Sequence, residues 1–113
     1  EQNAKLVDEL HRIADTRFSV IHGDVFAALR DPHTIKLPRI DAVISAVPCT
    51  FLTPPQREEY VRLTHTALAQ TGRFIVYQYS RLMLPILQRH FHRVSVSYVP
   101  LNLPPYFVMI AEK

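Results

Sequence analysis

Glycine is scarce in this chain. Gly23 and Gly72 are its two glycines among 113 residues, where average usage would supply about eight. Two isolated glycines cannot build a glycine-rich loop that cradles a phosphate or cofactor. Cysteine is scarcer still. Cys49 stands alone, which excludes an intrachain disulfide framework and leaves the compartment open. No uncharged apolar run reaches the roughly 18 residues that a membrane-crossing helix needs. The chain starts at Glu1 rather than Met, and no secretory signal pattern follows. No internal repeat, low-complexity tract or linker interrupts it.

What is present fits one folded domain over residues 1–113. Apolar residues make up 48%, aromatic residues 10% and charged residues 20%, with mean hydropathy near zero. That balance excludes wholesale disorder. The net charge is +3. From Gly72 onward the basic residues are Arg73, Arg81, Arg89, Arg93 and Lys113, against one acid, Glu112. Such an excess suits phosphate or an anionic surface. The lack of any Lys/Arg run favours a solvated face instead.

Periodicity supplies the elements. Leu6, Leu10 and Ile13 lie at helical spacing and predict an amphipathic helix over 3–14. Phe18 to Ile21 reads as a short strand, and Val25 to Leu29 as a short helix ended near Asp31-Pro32. Residues 31–39 read as a loop. Asp41 to Val47 is nearly all apolar, as suits a strand buried on both faces of a parallel sheet, and Pro48 stops it. Thr53-Pro54-Pro55-Gln56 combines a capping residue, proline in the first turn and a capping box. The helix it opens should reach about Gln70 with Tyr60, Leu63, Ala67 and Leu68 inward, Gly72 supplying a left-handed end.

Arg73 to Tyr79 is the next strand. A short helix follows over 82–90, with Leu82, Ile86 and Leu87 inward and a break expected at Pro85. Arg93 to Val99 alternates as a half-exposed strand, and Tyr106 to Ala111 is the last. Alternating helices and strands imply an α/β fold with a mostly parallel sheet. The final two strands are joined too closely for a parallel crossover, so they should pair antiparallel at one edge.

Four segments in this order resemble the C-terminal two-thirds of a class I S-adenosylmethionine-dependent methyltransferase, whose fold is Rossmann-like. They are Glu1, Val20-Ile21-His22-Gly23-Asp24-Val25-Phe26, Asp41-Ala42-Val43-Ile44-Ser45-Ala46-Val47-Pro48 and Thr71-Gly72-Arg73-Phe74-Ile75-Val76-Tyr77. They are similar to the end of that family's second strand, its third strand and turn, its fourth strand, and the lead-in to its fifth. Ser45-Ala46-Val47-Pro48, Tyr77-Gln78-Tyr79-Ser80 and Asn102-Leu103-Pro104-Pro105 further resemble the bacterial phosphatidylethanolamine N-methyltransferases. Those enzymes are in turn similar to rRNA adenine dimethylases. Here Ser45 and Cys49 stand where a dimethylase has asparagine and an aromatic residue, which argues against base methylation and makes a nucleic-acid partner unexpected.

The resemblance implies S-adenosylmethionine as cofactor. It implies that Glu1 accepts from the ribose hydroxyls, that Asp24 accepts from the adenine amino group and that the Val25 N–H donates to the ring. Gly23 turns the chain there, and Ser45 borders the cofactor. Asp24 also reads as a helix cap. Pro48 and Tyr79 would face the substrate, a small molecule or lipid headgroup, Tyr79 and Tyr77 by cation–π contact with an ammonium. No catalytic base announces itself, and no metal set does, His90 and His92 lacking a third ligand. Cys49 reads as a passive thiol.

The resemblance implies a cytoplasmic protein, peripheral at the inner membrane surface when it meets lipid. The family's first strand and glycine-rich loop are missing, so the sequence reads as a truncated fold and a fragment of a longer chain. Its strand order there is three, two, one, four, five, seven, six, and the strand at 41–47 should therefore have an open edge. The alternative within the resemblance is an rRNA or other nucleic-acid methyltransferase, which would need a basic groove and salt-dependent RNA binding. If the sequence is whole, a non-catalytic interaction domain or a dimer that borrows strands follows instead.

Overall fold

The computed structural model describes residues 1–31 and 39–113. The loop expected over 31–39 therefore lies, apart from its ends, outside the described residues. The chain divides into two compact units, Glu1–Leu37 and Pro38–Lys113.

In the first unit, α1 spans Ala4–Leu10 and α2 spans Val25–Arg30. Asn3 caps α1, its side chain accepting from the Lys5 N–H. The helix is shorter than its apolar spacing suggests. Val7 is its buried residue, and Leu6 and Ile13 are exposed. The expected strand over Phe18–Ile21 does not form. One pair of hydrogen bonds stands in its place: Glu1 N donates to Ile21 O at 3.0 Å, and Gly23 N donates to Glu1 O at 2.9 Å. Two such bonds astride one residue are the unit of a parallel ladder. Among the described residues the ladder has this one rung.

The second unit holds four strands: β1 Ile40–Ser45, β2 Leu68–Gln78, β3 Arg93–Val99 and β4 Tyr106–Glu112. They form one sheet in the order β1-β2-β4-β3. β1 pairs parallel with β2, while β2–β4 and β3–β4 are antiparallel. The fold is thus α/β with a mixed sheet. The expectation of a mostly parallel sheet fails because β3 and β4 are joined by a short loop and β4 inserts beside β2. The antiparallel edge pair is as expected.

Two helices complete this unit, α3 at Pro54–Ala67 and α4 at Leu84–His90. Both halves of the capping box form at α3: Thr53 Oγ1 accepts from Gln56 N, and Gln56 Oε1 accepts from Thr53 N. Pro85 lies in the first turn of α4 and starts that helix rather than breaking it, because no backbone donor is needed there. Leu87 is buried as expected, whereas Leu82 falls before the helix and is exposed, Met83 being buried in its place.

Alternation along β2 sends Gly72, Phe74 and Val76 inward. Their neighbours Met109 and Ala111 on β4 share that face. Tyr60, Val61, Leu63 and Thr64 of α3 and Leu87 of α4 are buried as well. β1 is an edge strand, as its expected open edge requires. It is not buried on both faces, for Ile44 is 70% exposed.

Gly72 corrects a second expectation. α3 ends at Ala67, and Leu68 is already extended at φ −70°, ψ 143°. Gly72 lies within β2 and caps nothing. Its role is close approach, since a Cβ there would lie 2.9 Å from Ala69 O and 3.0 Å from Leu68 Cβ and Cδ2. The register between β1 and β2 slips over this stretch. Gly72→Ala must displace backbone and is expected to destabilise by about 1–3 kcal/mol, measured by urea unfolding. A neutral result would show that the slip relaxes freely.

Thr64 is fully buried, and its Oγ1 has no hydrogen-bond partner among the described residues. Thr64→Val removes the orphaned hydroxyl at nearly constant volume. It should raise stability by about 1 kcal/mol, seen as a higher urea midpoint with an unchanged slope.

Candidate functional site

Three segments converge at one end of the sheet. β1 and β2 run parallel, so both carboxyl ends lie at the same edge. β4 runs against β2, so its amino end and the loop before it reach that edge too. Ligands in open α/β sheets bind outside the carboxyl ends of strands. A cavity of about 440 Å³ opens here, lined by Ala46, Pro48, Thr50 and Phe51 after β1, Tyr77 and Gln78 at the end of β2, Tyr79 and Ser80 after it, and Asn102 and Tyr106.

Hydrogen bonds fix the wall after β1. Gln78 Nε2 donates to Val47 O at 2.7 Å, tying the end of β2 to the turn. Arg57 of α3 donates from Nε to Cys49 O at 2.8 Å. A short 3₁₀ turn, Cys49–Phe51, follows Pro48. The Cys49 thiol donates to Val47 O at 3.2 Å.

Burial pushes this thiol up to about 11, although the nearby Arg57 cation pulls it down. Cys49 is a packed thiol, and burial disfavours its thiolate. Thiol reagents at pH 8 should modify it only through opening of the fold. Labelling should be about 100-fold slower in the native chain than in urea, read by mass spectrometry.

Ser45 is buried and does not line the cavity. Its Oγ accepts from Tyr60 OH at 2.8 Å and from Val47 N at 3.2 Å. Burial raises Tyr60 to about 12, so the phenol stays protonated and can donate. Ala46, the next residue, takes the lining position. Pro48 and Tyr79, expected at the substrate, both line the cavity, and Tyr77 and Asn102 join them.

The aromatic content is high. Tyr77, Tyr79, Tyr106 and Phe51 line one space, and the Tyr77 and Tyr106 rings lie 6.1 Å apart at 53°. No carboxylate or histidine is among the lining residues. An uncharged aromatic wall suits a cation, which ring faces attract. Tyr106 and Phe51 had not been singled out from sequence. Their signal was weak, since Tyr106 is the first residue of a strand and Phe51 sits in a three-residue turn.

In the first unit, Glu1, Gly23, Asp24 and Val25 come together. Gly23 N bonds the Glu1 carbonyl. Asp24 caps α2, Oδ1 accepting from Phe26 N at 2.9 Å and Ala27 N at 3.1 Å. Its Oδ2 accepts from Gln2 Nε2 at 2.8 Å. Val25 is the first residue of α2. The Glu1 carboxyl is held below its ordinary range, chiefly by the Asn3 N–H. The segment thus presents two exposed carboxylates as acceptors. Ser45 belongs to the other unit.

No protein-family model matches the chain. No curated protein matches it either.

Proposed function

We propose that this protein is an S-adenosylmethionine-dependent methyltransferase of Rossmann-like fold that transfers a methyl group to an amine, with phosphatidylethanolamine as acceptor. The observation that carries the reading is the cavity. It is lined from Ala46-to-Pro48, Tyr77-to-Ser80 and Asn102, the same segments that resemble the phosphatidylethanolamine enzymes.

The sheet supports the reading. Its order β1-β2-β4-β3 is the order of the family's fourth, fifth, seventh and sixth strands. The single parallel rung between Glu1 and the segment at 21–23 is what adjacent second and third strands would make. We read Glu1 and Asp24, both exposed, as the acceptors for ribose hydroxyls and an adenine amino group, the adenine displacing Gln2 from Asp24 Oδ2.

S-adenosylmethionine would supply a methyl on a cationic sulfur, whose departure needs no acid. What the chain must provide is alignment and a dry approach. Pro48, without an N–H, and the clamp from Gln78 to Val47 keep the turn fixed beside the acceptor. Tyr77, Tyr79 and Tyr106 line the space that the acceptor nitrogen would enter. The nitrogen must be unprotonated to attack. The lining offers no carboxylate or histidine to take its proton, so that proton leaves to water through the open mouth.

The reading is tested by incubating the protein with methyl-labelled S-adenosylmethionine and either phosphatidylethanolamine vesicles or ribosomal RNA. Label on the lipid nitrogen is expected. Label in RNA alone, or in neither, overturns the reading.

A further inference from the structure

The mouth of the cavity is framed by residues 46–53, 77–84 and 99–106. In a chain that is 20% charged, these three segments hold one charged residue, Arg81, and no acid. They also carry the most exposed apolar side chains of the described residues. Leu101 and Leu103 are 99% and 97% exposed, on either side of the lining residue Asn102. Asn102 Nδ2 donates to Pro104 O at 2.8 Å, and prolines 100, 104 and 105 restrict the loop. The leucines are therefore held outward rather than left to collapse. In the second of these segments the Arg81 guanidinium lies 5.5 Å over the Phe107 ring, and Tyr98 packs on that ring at 5.0 Å.

We infer that this rim docks the protein on an anionic lipid bilayer, Leu101 and Leu103 entering the acyl boundary and Arg81 meeting headgroup phosphate. Projecting leucines bordered by tyrosines and a cation match the layering of a bilayer surface. A protein partner would need a broad, packed patch, whereas these side chains project singly from one short loop. The absence of carboxylates removes the repulsion that an anionic surface would otherwise meet. The inference rests on the proposed function in one respect: a docked rim turns the cavity mouth toward the headgroups.

The test is co-sedimentation of the whole chain with phosphatidylcholine vesicles, with and without phosphatidylglycerol. Binding is expected with phosphatidylglycerol and should fall about tenfold or more in L101S/L103S. Neither leucine packs in the core, so the variant should unfold at the wild-type urea midpoint. The control I44S alters an exposed residue of β1 outside the rim and should bind as wild type. Wild-type chain that ignores vesicles, equal binding by L101S/L103S, or equal loss in I44S overturns the inference. So does self-association through these leucines in place of vesicle binding.

A second assay separates this inference from the functional reading. Methyl transfer to a short-chain, monomeric phosphatidylethanolamine does not need docking, and L101S/L103S should retain it. Transfer without leucine-dependent vesicle binding sinks the docking surface alone. Leucine-dependent binding without transfer sinks the methyltransferase reading alone.

Discussion

Phe74→Ala should remove about 3–5 kcal/mol of stability, enough to leave much of the chain unfolded at 37 °C. Phe74 is fully buried on β2, which is paired on both sides. Its ring meets Tyr60 of α3 edge-on at 5.7 Å and Phe91, just after α4, at 6.1 Å. One side chain thus joins the sheet to both helices. Its removal opens a cavity that β2 cannot close, because Val43 and Ala111 hold the backbone in register on either side. Phe74→Leu keeps most of the volume and should cost under about 1.5 kcal/mol. Urea unfolding distinguishes the two. A cost below about 1 kcal/mol for the alanine variant would mean that α3 and α4 do not pack on this face.

The same residue marks how far the sequence could be read. Tyr60 and Leu63 were legible because the helix period places them on one side of α3, whereas the strand holding Phe74 was legible only as a strand, without its inward residues. The start of α3 was legible to the residue, since Thr53 and Gln56 bond each other locally. Local signals failed where a partner segment decides the outcome. Phe18 to Ile21 has strand composition, but composition does not show which segment pairs with it, and one rung with Glu1 forms in place of a strand. Gly72 has the signature of a helix end, yet the chain has already turned extended at Leu68, and the small residue serves a close approach.

The site followed the same division. Pro48 and Tyr79 were placed by the resemblance, and both line the cavity. Ser45, one residue from Ala46, points the other way because strand alternation sends it toward Tyr60. Phe51 and Tyr106 reach the cavity through the sheet's topology, which brings the start of β4 beside the ends of β1 and β2. No single-segment pattern contains that information.

Tyr77→Ala should lower kcat/KM for an amine acceptor about tenfold, while Tyr77→Phe should stay within about twofold of wild type. Attack converts a neutral nitrogen into an ammonium, so positive charge grows at the acceptor as the bond forms. An aromatic face beside that nitrogen is attracted more strongly to the transition state than to the neutral amine. The loss should therefore appear mainly in kcat. Its size is held down by solvent, since Tyr77 is 41% exposed even with Tyr106 beside it. Phenylalanine keeps the ring and discards the hydroxyl, which separates the face from the phenol. Equal losses in both variants would make the hydroxyl the working group and remove the cation–π argument. An unchanged Tyr77→Ala would place the acceptor elsewhere than in this cavity. A loss confined to KM would mean that the acceptor nitrogen is already cationic when it binds, with its deprotonation occurring inside the aromatic wall.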